Sequence, residues 1–315
     1  MDSRETTSNG TTFLLLGFSD LSLTAQASLF LFLFFSYLLS LIGNGLIMVV
    51  VTLSPRLHSP MYFFLKVLSF VELLSINSTV PKALQIFYAV ERTISMVGCV
   101  TQLFSFIVAA GCECILLTVM AFDRYMAICH PLRYRSVMSV STCYLLSMLS
   151  WTFAIITAVI HCTLLFTLPF CGSHLVAHFF CDVPSIISLS CVDTFSIEVC
   201  LFLISVAATV LPTVLIFSSY TRILTSIFLL RSAESRRKAF STCGSHLASV
   251  IIFYGTVMFV HLRLQNPFSS YDDRMLALSY CVIIPTINPL IYSLKNKEMK
   301  AAIRNLHLKI ILSHK

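Results

Sequence analysis

GCVTQLFSFIVAAGCECILLTVMAFDRYMAICHPLRY, residues 98–134, is an apolar run with one carboxylate, Glu113, in its middle and Asp123 beside Arg124 near its end. A helix that is apolar on every side belongs in a core or a membrane. From Phe106 to Arg124 such a helix rises roughly 27 Å, almost the thickness of the hydrocarbon layer. Phe106, Ala110, Glu113, Leu117, Met120 and Arg124 recur at steps of three and four, so they share one stripe. One helix would therefore carry an outer apolar surface, an acid at mid-depth roughly 16 Å above Arg124, and an ion pair at its inner end.

Working outward, the chain has 315 residues, 57% hydrophobic and 11% charged, with a mean hydropathy of +0.89. Stretches near 27–52, 60–84, 98–121, 140–164, 197–221, 239–262 and 273–294 each reach the roughly 20 residues that a helix needs to cross a bilayer. They are continuous rather than alternating, which argues against a transmembrane barrel. The expected fold is an all-α membrane protein, a seven-transmembrane helix bundle with its N-terminus outside and a short amphipathic helix after the seventh span. Its expected parts are an extracellular tail (1–26), the bundle (27–294) and a cytoplasmic helix and tail (295–315). The orientation follows from the basic residues: of 21 Lys and Arg, just Arg4, Lys82, Arg92, Arg263 and Arg274 would lie outside. The net charge of +7 is thus a topology signal and no pointer to nucleic acid. The start, MDSRETTSNG, is polar, and the first apolar run has the length of a span, so it reads as an uncleaved anchor. Asn9-Gly10-Thr11 is a glycosylation sequon on the outer tail, whereas Asn77-Ser78-Thr79 falls inside the second span and reads as unmodified.

Of 12 cysteines, Cys99, Cys171, Cys181 and Cys191 fall on the oxidising outer side, where four thiols allow three pairings. Carboxylates inside a membrane cost several kcal/mol unless paired or hydrated. Glu72 and Glu113, at similar depth and with Asn44 and Asn288 available, suggest a hydrated ion pocket; the plainer alternative is two neutral acids bonded to neighbouring helices. Pro212, Pro285 and Pro289 should bend the fifth and seventh spans. A transporter or channel would more often show paired broken helices, an internal repeat or a charged path, and an enzyme would show a motif such as HExxH, GxSxG or a phosphate loop; the sequence has none of these.

In this order the motifs resemble those of a family A G-protein-coupled receptor, and more narrowly an odorant (olfactory) receptor. The resemblance rests on LIGNGLIM with Gly43-Asn44, SPMYFFLKVLSFVELL (59–74), MAFDRYMAICHPLRY (120–134), CGSHLVAHFFCDVPSIISLSC (171–191), Ser219-Tyr220, KAFSTCGSHL (238–247) and PTINPLIYSLKNKEM (285–299). It covers nearly the whole chain. It implies disulfides Cys99–Cys181 and Cys171–Cys191, which leaves no thiol at His178-Phe-Phe-Cys181 for a metal. It implies that Asp123, Arg124 and Tyr125 form an inner latch that Tyr220 and Tyr292 meet when the bundle opens. It also implies an internal sodium position at Glu72, Glu113 and Asn288, with no other cofactor.

Several positions depart from common patterns of the wider receptor class. Glu72 replaces an aspartate, Tyr254 stands where most family A receptors have a tryptophan, His261 replaces a tyrosine frequent in odorant receptors, and Lys66 replaces a small polar residue. Phe106 occupies the place of the aspartate that anchors amine ligands, and the seventh span has no lysine before Lys295 to form a Schiff base. The expected ligand-binding residues are Phe106, Ile107, Ala110, Gly111 and Cys114; Ile204, Ser205 and Ala208; Tyr254, Val257, Met258 and His261; and Leu278 and Cys281. Such an apolar pocket suits a small volatile organic molecule. The resemblance further implies a stimulatory olfactory-type heterotrimeric G protein as partner, a rise in cAMP, and a plasma-membrane location in the cilia of olfactory sensory neurons. A chemoreceptor of the same family acting outside the olfactory epithelium is the alternative.

Overall fold

A computed structural model describes residues 12–89, 92–171, 174–229, 232–262 and 270–313. Asn9 and the side chain of His261 lie outside what it describes.

The spans are α1 (Leu23–Leu53), α2 (Pro60–Tyr88), α3 (Met96–Cys129), α5 (Val140–Phe166), α7 (Phe195–Phe228), α8 (Ala233–Leu262) and a seventh run in two pieces, α9 (Ser270–Leu278) and α10 (Ile284–Lys295). Short helices α4 (Pro131–Val137) and α6 (Val183–Ile187) lie in the loops on either side of α5, and α11 (Lys297–Ser313) follows the last span. Six of these helical runs are long and apolar enough to cross a membrane, and α8 adds a shorter apolar stretch, Cys243–Phe259. The architecture is a seven-helix membrane bundle. Side chains such as Phe35, Ile42, Leu211, Phe217 and Ile251 are exposed because lipid, not water, faces them.

Helix starts are written locally. Ser22, Ser95 and Ser139 accept from the backbone N–H of Ala25, Gly98 and Thr142, and Pro60 and Pro131 open α2 and α4, where a missing N–H costs nothing. Asn296 Oδ1 accepts from the N–H groups of Glu298 and Met299 and from the Tyr62 hydroxyl, which starts α11 and ties it to α2. Along α11, Met299 and Ala302 are buried while Lys300 and Arg304 are exposed, as an amphipathic helix on a bilayer surface requires.

Pro212 lies inside α7 and Pro289 inside α10, and a further proline, Pro81, lies inside α2. A π-helical turn, Ser279–Ile283, separates α9 from α10 just before Pro285. Within α10, Pro289 has no N–H to offer the carbonyl of Pro285 four residues back. That carbonyl accepts instead from Ser40 Oγ at 2.9 Å and Asn44 Nδ2 at 3.1 Å, both on α1. The close approach explains Gly43: a Cβ there would stand 2.8 Å from the Cβ of Pro289.

The outer end carries a small sheet that the sequence gives little sign of. Strand β1 (Thr12–Leu15) lies between β2 (Thr93–Ser95), antiparallel, and β3 (Leu175–Val176), parallel. Its Phe13 and Leu15, with Phe18 beyond, are buried under the loop between α5 and α7. Arg274 then clamps the segment. It donates from Nη1 to Asp20 Oδ1 at 2.8 Å, from Nη2 to Asp20 Oδ2 at 2.5 Å, and to the Gly17 carbonyl, with its guanidinium over the Phe18 ring. Gly17 has φ +61°, and a Cβ there would meet Ile86 Cγ2 at 2.6 Å. Cys99–Cys181 ties the loop to α3 and Cys171–Cys191 closes the loop on itself.

Candidate functional site

Three polar or hollow places line up along α3. The outermost is a cavity of about 850 Å³ between α3, α5 and α7, roofed by α6 and the loop after it. Phe106, Ile107, Ala110, Gly111 and Cys114 from α3, Ser205 and Ala208 from α7 and Val257 from α8 line it as the sequence suggests. Five other expected residues do not. Met258 is turned to lipid, and Leu278 and Cys281 are packed in a core cluster with Val80 and Ala83 of α2. Ile204 is a hundred-degree helical step from the inward-facing Ser205. Tyr254 stands behind Cys114, donating its hydroxyl to the Cys114 carbonyl at 2.9 Å. Their place is taken by a face of α5 repeating every four residues, Phe153, Thr157 and His161, by Val199 and Phe202 of α7, and by Phe253 and Tyr280.

At the mouth, burial pushes the carboxyl of Asp182 up to about 6, and Thr194 bonds to Glu198 on the exposed rim. Further round the outer end, burial and the charge of Arg274 push His178 down to about 3 between the rings of Phe179 and Phe180. The hydrogen bond from Arg274 holds Asp20 below the ordinary carboxylate range.

The cavity floor reaches Glu113, where the second place begins. Asn288 Nδ2 donates to Glu72 Oε1 at 2.5 Å and approaches Glu113 Oε1 at 3.5 Å, so one amide bridges two buried acids. No cationic side chain contacts either acid among the described residues. Asn44 Oδ1 and Asn288 Oδ1, also buried, accept no hydrogen bond. Two carboxylates with orphaned carbonyl oxygens beside them form an all-oxygen donor set suited to a hard cation.

The third place is the inner end. Arg124 donates from Nε to Asp123 Oδ2 at 2.9 Å and also from Nη2, both residues being buried. Tyr134 of α4 donates to Asp123 Oδ1 at 2.8 Å, a partner the sequence reading missed. Tyr125 instead turns outward to His130, 2.9 Å from its hydroxyl. Tyr292 is buried in the inner core.

The hydroxyl of Tyr220 is bonded to a residue other than Arg124. It lies 2.6 Å from Nδ1 of His246, whose Nε2 lies 3.1 Å from the Leu117 carbonyl. A carbonyl can only accept, so Nε2 carries the proton and Nδ1 accepts from Tyr220. His246, buried and stacked on the Tyr220 ring, thus joins α3, α7 and α8. It lies within KAFSTCGSHL, 238–247, a motif that by itself gives no sign of this role.

Known proteins bear on this arrangement. Residues 33–310 match the family described as olfactory receptor. The chain is 44% identical over 294 residues to human Olfactory receptor 2G3, covering 93% of this chain and 95% of that protein. It is 46% identical over 292 residues to mouse Olfactory receptor 5G29, covering 93% of each. With a match across nearly the whole bundle and identities of this order, the chain belongs to the olfactory receptor family of G-protein-coupled receptors, multi-pass proteins of the plasma membrane that are not enzymes.

Proposed function

We propose that this receptor binds a small volatile organic molecule in the cavity beside Phe106 and activates a stimulatory olfactory-type heterotrimeric G protein, raising cAMP in the cilia of olfactory sensory neurons. The carrying observation is that one rigid helix, α3, holds the cavity wall at Phe106 and the closed Asp123–Arg124 pair at its other end. A ligand that fits the cavity better when the inner end is open shifts the bundle toward that form in proportion to its differential affinity. Arg124 then leaves Asp123, Tyr220 and Tyr292 turn to it, and the opened face receives the G protein. The apolar lining selects by shape and volume, which suits a volatile ligand.

The pocket of Glu72, Glu113 and Asn288 is assigned to a sodium ion, which would supply the missing positive charge. Its support is the pair of buried carboxylates and the unpaired carbonyl oxygens of Asn44 and Asn288. The ligand and coupling reading is tested by Arg124→Ala. At equal surface expression the variant should lose odorant-driven cAMP, and a full response would overturn the role given to the ion pair.

A further inference from the structure

His161 is a histidine on the cavity wall of the fourth span, and its two ring nitrogens are not equivalent. Nδ1 lies 2.8 Å from the carbonyl oxygen of Thr157. That oxygen can only accept, so Nδ1 holds the ring proton and donates it. The ring's other polar contact is Ser205 Oγ, which is no acid, so nothing compensates a second proton and the buried ring is neutral. Nε2 is left as an acceptor.

The surroundings sharpen this. Ser205 Oγ stands 3.4 Å from Nε2, long for a hydrogen bond from a hydroxyl. Two further hydroxyls of this wall have spent their protons: Thr157 Oγ1 donates to the Phe153 carbonyl at 2.9 Å, and Thr209 Oγ1 to the Ser205 carbonyl at 2.8 Å. The corner therefore offers a waiting acceptor, a loosely held Ser205 proton, and threonine oxygens that can only accept.

We propose that His161 and Ser205 form the ligand's polar subsite and that it selects a hydroxyl group, as in an alcohol or phenol. The ligand O–H donates to His161 Nε2, while Ser205 Oγ donates to the ligand oxygen. A hydroxyl does both at once. A ketone, ester or ether accepts from Ser205 but leaves Nε2 facing an apolar group, which costs the unmade bond of a buried acceptor. Phe106, Ile107 and Phe202 take the hydrocarbon body. The inference rests on the proposal that this cavity is the ligand site.

The test uses the full-length receptor in cells with a cAMP readout, and matched sets of six- to ten-carbon alcohols and phenols, their methyl ethers, the corresponding ketones and the parent hydrocarbons. Alcohols or phenols should activate, with potency about tenfold or more above their ether and ketone partners, the order expected of one hydrogen bond. His161→Phe should bring the alcohol down to the level of its ether or below, without lowering the ether's own potency, since it removes the acceptor that the ether leaves unpaired. Ser205→Ala, which keeps Nε2, should cost less. The proposal is overturned if ketones or ethers match the alcohols, which would point to Tyr280 as donor, or if His161→Phe lowers every compound by one factor, the mark of a structural role. A surface-expressed receptor silent to every set would sink the ligand-site reading itself; ketone-only activation would sink just the hydroxyl preference.

Discussion

His246 is where the structure makes its most quantitative statement about switching. If the inner end opens by parting α8 from α3 and α7, both its hydrogen bonds are lost: the one it donates to the Leu117 carbonyl and the one it accepts from Tyr220. His246→Phe keeps a ring to stack on Tyr220 and deletes both bonds from the closed form alone. At about 1 kcal/mol each, the closed form loses about 2 kcal/mol, a shift of about thirtyfold in the closed-to-open ratio. A receptor about 1% open without ligand would become about one-fifth open. Ligand-free cAMP, normalised to surface receptor, should then rise roughly tenfold or more. Tyr220→Phe removes one of the bonds but also the hydroxyl that turns to Arg124 in the open form, so any rise should be smaller. Unchanged basal cAMP in His246→Phe, at normal surface expression, would refute the idea that this histidine holds the bundle shut.

Other perturbations probe the remaining parts. Gly43→Ala puts a methyl 2.8 Å from the Cβ of Pro289, so α1 and α10 must separate; a loss of about 1–3 kcal/mol should appear as a lower melting temperature and poorer surface expression. Replacing sodium by choline should lower the wild-type melting temperature and leave Glu72→Gln unaffected; equal values for the wild type in the two salts would count against sodium. The outer cap should loosen in acid. His178 is held at about 3 against an ordinary 6.5, so its share of the cap's stability is complete above 6.5 and is lost as pH falls toward 3. Asp20, held low, adds a loss below the ordinary 3.8, while Asp182, raised to about 6, acts in the opposite sense and favours the cap as pH falls through 6. Hydrogen exchange of residues 12–20 at pH 7 and pH 5 should therefore differ by up to about 2 kcal/mol more in the wild type than in His178→Phe. An equal difference would exonerate His178.

The spans were legible because lipid leaves the backbone no choice but to bond within each helix, and roughly twenty apolar residues announce that solution. The Asp123–Arg124 pair was legible for the complementary reason, that charge next to such a run marks its end. The cavity wall was half legible. A helical stripe says which residues of α3 share a face, but not whether α5 or α10 stands opposite, so Leu278 and Cys281 were assigned to a wall that Phe153, Thr157 and His161 provide. The cost of burying a polar group in lipid, applied to Glu72 and Glu113, applies to His161 and His246 as well, and it would have singled out both. Nothing local announces β1: four residues form a strand because of partners some eighty and a hundred and sixty residues further on.

That strand has a consequence for how the receptor is made. Thr12–Leu15 leaves the ribosome well before the residues that hold it: β3 comes with the loop after the fourth span, and Arg274, 254 residues beyond Asp20, with the last span. The N-terminal segment must therefore wait, already exported and unpaired, until almost the whole bundle has been threaded into the membrane. Contacts this distant in sequence are slow to form, and their half-built states expose sticky strand edges. Completion of the outer cap is thus a late signal that all seven helices are in place, and a bulky fusion set close before residue 12 would burden assembly at its last step rather than its first.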